Sequence, residues 1–297
     1  MKPSIWPVLV GTGVFLGLGV PLAKAAASER VSALAFAFWP TVAAGLLLIA
    51  LGRLRQGRPR LTRADLRFGA VAGLFGHALP MSAAYWLSAQ AGAGFTALAF
   101  TLPPVFTLAI TLLIGIERPL MRRVGGVAIG LTGALLFVAG RGTVSANGSL
   151  HALWLVVAIP AVIAAANVYR SLRLPRGLSA EWLSGLTLLS SSVMLAGFGI
   201  LMGGLGVPLE ASAIAWLVLQ ALALVAGYIL YFLLQQRAEP VTFSFMGYVV
   251  MATGVAIGTV AFGERLPWTT LPALALISGA LWLMQSTAVR QAGSLSR

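Results

Sequence analysis

The chain has no cysteine and little negative charge among its 297 residues. The missing cysteine excludes disulfide bonds, thiolate metal sites and cysteine nucleophiles. Charged residues make up 9% of the sequence, against roughly 25% in soluble domains. The seven acidic residues all lie in predicted loops or at predicted helix ends: Glu29, Asp65, Glu117, Glu181, Glu210, Glu239 and Glu264. No metal site, cofactor or catalytic acid pair is therefore predicted.

Hydrophobic residues dominate instead, at 59% of the chain with a mean hydropathy of +0.94. The apolar runs are continuous and about 20 residues long, which is the length of a membrane-spanning helix rather than of a barrel strand. We predict ten spans, near residues 5–23, 33–52, 66–87, 94–115, 124–140, 152–170, 182–203, 212–235, 241–262 and 268–289.

Residues 1–147 and 148–297 resemble two copies of one five-span unit. A shift of about 147 places Glu117 and Arg118 on Glu264 and Arg265. Because a unit with an odd number of spans ends on the opposite side of the membrane, the second copy is inverted relative to the first. The predicted fold is an all-α integral membrane protein, with ten transmembrane helices arranged as two inverted five-helix repeats around a central cavity.

Basic residues are unevenly distributed between the two predicted sides of the membrane. If the N-terminus is cytoplasmic, all but four of the 20 basic residues lie on the cytoplasmic side, the four being Lys24, Arg30, Arg141 and Arg265. The positive-inside rule then predicts that both termini are cytoplasmic. The net charge of +13 lies in short loops without interleaved aromatic residues, which disfavours nucleic-acid binding. The first span also resembles a signal peptide, but its counterpart in the second repeat favours a retained helix.

Each half carries an acidic-arginine turn after its fourth span, Ile116-Glu117-Arg118-Pro119 and Gly263-Glu264-Arg265-Leu266, followed by a Gly-Ala-Leu fifth span. In these features the chain resembles the drug/metabolite transporter superfamily of the EamA type, and its bacterial amino-acid exporters in particular. The resemblance implies a bacterial inner-membrane protein with a cavity lined mainly by spans 1, 3, 4, 6, 8 and 9. It also implies that spans 5 and 10 form a supporting pair.

Polar and aromatic side chains recur at helical spacing on several predicted spans, for example His77, Met81 and Tyr85 on span 3 and Tyr228 and Tyr231 on span 8. Such groups cost free energy when they face lipid, so these stripes are expected to face the interior. The predicted substrate-binding residues are His77, Met81, Tyr85, Thr101, Asn167, Tyr228, Tyr231, Ser244 and Tyr248.

The same residues have a plainer interpretation, since polar side chains between membrane helices often only hydrogen-bond across the bundle. His77 in particular is either a proton or carboxylate partner or a neutral histidine bonded at a kink near Pro80. The absence of a mid-membrane carboxylate disfavours antiport of cationic drugs against protons. Aromatic rings with amide and hydroxyl groups suit neutral or zwitterionic solutes.

The predicted function is therefore export of small metabolites, amino acids including aromatic ones, by alternating access. Export of another metabolite or of a drug stays open, as do a membrane enzyme and a structural membrane protein. The expected partners are a small-molecule substrate and membrane lipid, without nucleic acid or an obligatory protein partner.

Overall fold

The structure is a computed structural model that describes residues 4–91, 100, 102–116, 120–140, 150–202, 204–262, 268–269, 271–273, 275–280 and 282–283. Every regular element within these ranges is helical. The helices are α1 (Trp6–Gly17), α2 (Gly19–Ser28), α3 (Ala33–Gln56), α4 (Arg63–Gly73), α5 (Leu79–Ala91), α6 (Pro103–Leu113), α7 (Met121–Gly140), α8 (Leu150–Arg173), α9 (Ala180–Met202), α10 (Ala211–Gln235), α11 (Pro240–Ser244) and α12 (Met246–Phe262), with a π-helical turn at Leu74–Ala78 between α4 and α5.

Five helical segments of the described chain are long and apolar enough to cross a membrane: Trp6–Ser28, Ala33–Gln56, Ala180–Leu201, Ala211–Gln235 and Pro240–Phe262. They coincide with predicted spans 1, 2, 7, 8 and 9. The other predicted spans fall on helices that are shorter, interrupted or not fully described. The all-helical fold is thus confirmed, and the count of ten spans stays a prediction.

Local sequence signals place the ends of the helices that surround the core. Ser32 caps α3 by accepting a hydrogen bond from the backbone N–H of Ala35, as N-cap serines commonly do. Thr62 and Asp65 form a reciprocal capping box at the start of α4. At the end of α3, Gly57 adopts a φ of +77°, a left-handed conformation that favours glycine.

A π-helical turn at Leu74–Ala78 interrupts predicted span 3. A π turn holds an extra residue, so the side chains that follow it are rotated relative to those of a continuous α-helix. Gly76 and His77 lie in this turn, and His77 is buried. Both of these residues of the turn, Gly76 and His77, line the interior cavity described below.

The buried core is formed by helices from both halves of the chain. The helix α3 packs along α9, α1 packs on α10 and α12, and α6 packs on α8. Aromatic rings fill the middle of this core, with Tyr228 stacked on Tyr231 at a centroid distance of 5.3 Å and Phe243 edge-on to Tyr231 at 4.7 Å. The core thus joins residues that are far apart in sequence.

Two of the arginines assigned to cytoplasmic loops are buried. Arg123 forms an ion pair with Glu239, and Arg170 is only 2% exposed. Arg170 lies on α8 rather than in a loop, because that helix continues to Arg173. Arg170 is thus a second buried ionisable side chain beside His77, and the sequence-based placement of this arginine among the charges of the cytoplasmic loops is wrong.

Candidate binding site

A cavity of about 80 Å³ lies between the two halves of the chain. Seven of the nine predicted binding residues line it, namely His77, Met81, Tyr85, Asn167, Tyr228, Tyr231 and Ser244. They are contributed by the π turn, α5, α8, α10 and α11. The cavity has room for several water molecules but is smaller than the roughly 300 Å³ and above of drug-sized ligand sites.

His77 is held by hydrogen bonds at both ring nitrogens. Its Nε2 lies 2.9 Å from the Thr41 hydroxyl, and its Nδ1 lies 2.8 Å from the Tyr228 hydroxyl. The Thr41 hydroxyl also donates to the carbonyl of Ala37 at 2.6 Å. Because a hydroxyl has one proton, Nε2 then donates to Thr41 and Nδ1 accepts from Tyr228. This arrangement satisfies a neutral imidazole through side chains of α3 and α10, not through the backbone carbonyl that the kink at Pro80 suggested.

Aromatic rings and amides form the rest of the polar wall. The Tyr231 hydroxyl donates to Oδ1 of Asn167 at 3.4 Å. Nε2 of Gln220, which also lines the cavity, donates to the Tyr85 hydroxyl at 3.4 Å, and Oε1 of Gln220 is buried without a hydrogen-bond partner. The wall therefore contains polar atoms that are not fully satisfied within the protein.

Ser244 and Met81 contribute less to this wall. The Ser244 hydroxyl donates to the carbonyl of Val241 at 2.6 Å, which satisfies it within its own short helix. Met81 lies at the cavity and also packs against the hydrophobic cluster around Phe36. Both residues line the cavity, but the hydroxyl proton of Ser244 is already donated to Val241.

Tyr248 lies outside the cavity, contrary to the sequence-based grouping. Its hydroxyl donates to the carbonyl of Val127 on α7 at 3.4 Å, and its ring covers Gly130. The reason is helical geometry: Gly247 and Val250 of α12 face the cavity, and successive residues of an α-helix point about 100° apart. Tyr248 therefore packs between helices. Thr101 lies outside the described residues, as do the acidic-arginine turns at 117–118 and 264–265.

Arg170 is one of two polar cavity residues, with Gln220, that the sequence-based prediction did not include. Its Nη2 donates to Oδ1 of Asn167, and its guanidinium lies over the Tyr231 ring at 5.0 Å from the centroid. Its Nε is buried without a hydrogen-bond partner. A Cβ on Gly76 would overlap Nη1, so the missing side chain at position 76 leaves the space that the guanidinium occupies. Arg170 thus presents a positive charge at the cavity.

Two sequence signals pointed to the missed residues. Arg170 follows Asn167, a predicted binding residue of span 6, by three positions and so lies on the same helix face. Gln220 precedes Tyr228 by eight positions, about two turns earlier on the same face of α10. Arg170 lies at the end of predicted span 6, where the positive-inside rule also accounts for an arginine, so the spacing alone did not single it out.

The charge at the cavity is of one sign. Of the residues that line it within the described chain, Arg170 carries a fixed positive charge and none is acidic. The ion pairs of Arg55 with Glu181, at 2.9 Å, and of Arg123 with Glu239 do not include Arg170. The described residues also contain no cluster of three His, Cys, Asp or Glu that could hold a metal ion. The arrangement is suited to binding a solute that has an anionic group and an apolar part.

Comparison with known protein families finds a match over the first half of the chain. Residues 5–139 match the EamA-like transporter family. One solved chain, described only as "Crystal structure of protein", superposes with a TM-score of 0.77 at 19% sequence identity, over 96% of this chain and 98% of that chain. At this identity the likeness shows the fold alone. No curated protein matches the chain.

The five long apolar helices and the similarity of residues 5–139 to EamA-like transporters together indicate a multi-pass membrane protein. The match agrees with the superfamily resemblance seen in the sequence. The finer resemblance to amino-acid exporters stays a prediction.

Proposed function

We propose that this protein is a bacterial inner-membrane transporter that exports small metabolites, amino acids including aromatic ones, by alternating access. The observation that carries the proposal is the interior cavity, whose wall combines the Tyr228 and Tyr231 rings with the amide of Asn167 and the charge of Arg170. Rings accommodate an apolar side chain, and the polar groups accommodate the charged head of an amino acid.

The packing of the helices supports two inverted repeats. Span 1 (α1) packs on span 9 (α12), and the equivalent pair after exchange of the halves, span 6 (α8) with span 4 (α6), also packs together. Likewise, span 8 (α10) packs on span 2 (α3), and span 3 (α4) packs on span 7 (α9). Equivalent contacts of this kind are expected when two halves with one fold enclose a site, and such halves can exchange conformations.

The size of the cavity supports alternating access. A space of about 80 Å³ is too small for a bulky amino acid, so the helices must part for such a solute to enter. Because the cavity lies between the halves, rocking of one half against the other would widen it on one side at a time.

The buried charge argues against an exporter of cationic drugs. Such a protein normally holds an intramembrane carboxylate that exchanges protons for cations. The described cavity has Arg170 instead, which would repel a cationic solute.

The proposal is tested by counterflow of labelled amino acids into proteoliposomes loaded with unlabelled solute. Tyr228→Ala should weaken transport of phenylalanine by about 1 to 3 kcal/mol in apparent binding, since it removes a ring from the cavity wall. Leu47→Ala is the control, because Leu47 is 51% exposed on the outer surface. Equal effects of the two substitutions, or no flux of any amino acid through the unaltered protein, would refute the proposal.

Proton coupling is tested in the same vesicles with His77→Gln. Glutamine can still hydrogen-bond to Thr41 and Tyr228 but does not titrate between pH 5 and 8. We expect exchange to persist without an imposed proton gradient in both proteins. Strict dependence on the gradient that disappears in the variant would instead identify His77 as a proton carrier.

A further inference from the structure

Arg170 is a buried cation for which the described chain supplies no carboxylate partner. Arg170 is 2% exposed, and Oδ1 of Asn167, which accepts a hydrogen bond from its guanidinium, is uncharged. An unpaired charge is costly inside a membrane protein, and such residues usually face a cavity and mark a solute pathway. The unpartnered Nε leaves the guanidinium with hydrogen-bonding capacity to spare.

The surroundings of Arg170 hold the guanidinium in one orientation. Tyr231 stacks against it, Asn167 accepts from Nη2, and the bare backbone of Gly76 leaves room for Nη1. A guanidinium that is already oriented loses less entropy when it binds a planar carboxylate. The site therefore has the geometry of a preorganised anion receptor at one wall of the cavity.

The rest of the cavity wall is mostly apolar. Leu16, Val20, Leu224 and Val250 line it, together with the ring of Tyr85. No acidic side chain among the described lining residues is available to pair with an ammonium group. The site thus offers an ionic partner to a carboxylate but none to an amine.

We propose that Arg170 binds the carboxylate of the transported solute, and that a carboxylate on an apolar body, rather than an amino group, is the feature that the site selects. This inference rests on the proposed transport function and specifies its substrate class. Solutes that keep the carboxylate and lack the amine should bind about as well as the amino acid, and solutes that keep the amine and lack the carboxylate should bind poorly.

Binding can be measured without transport, as the ligand-dependent rise in the melting temperature of the detergent-purified protein. The probes are phenylalanine, 3-phenylpropionate and phenylalaninamide, with inorganic phosphate as a second anion. We expect phenylalanine and 3-phenylpropionate to stabilise the protein at similar concentrations. Phenylalaninamide should need roughly 10- to 100-fold more, the ratio expected for loss of a charge-assisted hydrogen-bond pair.

Three variants assign the effect to the guanidinium. Arg170→Gln should weaken 3-phenylpropionate binding by roughly 10- to 100-fold. Arg173→Gln, the control, removes an exposed arginine from the next turn of the same helix and should leave binding unchanged. Asn167→Asp places a carboxylate where the amide oxygen now accepts from Arg170, so it should weaken binding as well while raising the melting temperature of the unliganded protein.

The outcomes separate this inference from the transport function. Unchanged binding of 3-phenylpropionate in folded Arg170→Gln, or in Asn167→Asp if the first variant does not fold, would overturn the role of Arg170. Stabilisation by phenylalaninamide or phosphate equal to that by 3-phenylpropionate would overturn the carboxylate selectivity. Binding that follows the expected pattern without any flux in proteoliposomes would support the site and refute the transport function.

Discussion

The hydrogen bond between His77 and Tyr228 joins the two halves of the chain, and Tyr228→Phe removes it while keeping the ring. Both side chains are buried, and the bond between Nδ1 and the hydroxyl is 2.8 Å long. With Nε2 donating to Thr41, the variant leaves Nδ1 as a buried acceptor without a donor. The stacking on Tyr231 does not depend on the hydroxyl and should persist.

The expected loss of unfolding free energy is about 1 to 2 kcal/mol. An orphaned buried acceptor costs about 1 to 3 kcal/mol, whereas interhelical hydrogen bonds within membranes average about 0.6 and reach about 1.7 kcal/mol. The neighbouring cavity can admit a water molecule to the unpaired Nδ1, which places the expected loss in the lower part of the first range.

The assay is unfolding of the purified protein in mixed micelles with increasing dodecyl sulfate, repeated for a double-mutant cycle. His77→Leu removes the other partner, so the double variant should lose clearly less than the sum of the two single losses. Tyr169→Phe is the control, because Tyr169 is only partly buried and its ring stacks on Phe68. Additive losses, or a control loss as large as that of Tyr228→Phe, would refute the hydrogen bond as a coupled pair.

Two further predictions concern packing and topology. Gly130→Ala should lower the melting temperature, since its Cβ would overlap the ring of Tyr248 and overpacking costs about 1 to 3 kcal/mol. Gly125→Ala is the control and should leave the melting temperature unchanged, because its Cβ would make an ordinary contact of 3.7 Å. Equal effects of the two substitutions would contradict the packing of Tyr248 on Gly130. Reporter fusions at both termini and in the 53–67 loop should report the cytoplasm, whereas a fusion at Val207 should report the opposite side. A cytoplasmic signal at Val207 would contradict the predicted topology.

Much of the fold could be predicted from single residues and their spacing. A helix that crosses lipid must be apolar over its whole length, so hydropathy located the five long helices to within a few residues of their ends. Helical spacing also grouped His77, Met81 and Tyr85, and the structure brings them to one cavity with Tyr228 and Tyr231.

The sequence by itself therefore determined the long apolar helices and most of the polar groups that meet at the cavity, because each depends on a local pattern. Only the tertiary structure decided the environment of Arg170, since a charged residue near a helix end looks alike in sequence whether it meets solvent or a cavity. It also decided that Tyr248 packs on Gly130, because the facing helix sets which residues of α12 reach the interior. Burial and partner choice depend on contacts between distant segments, and no local pattern contains them.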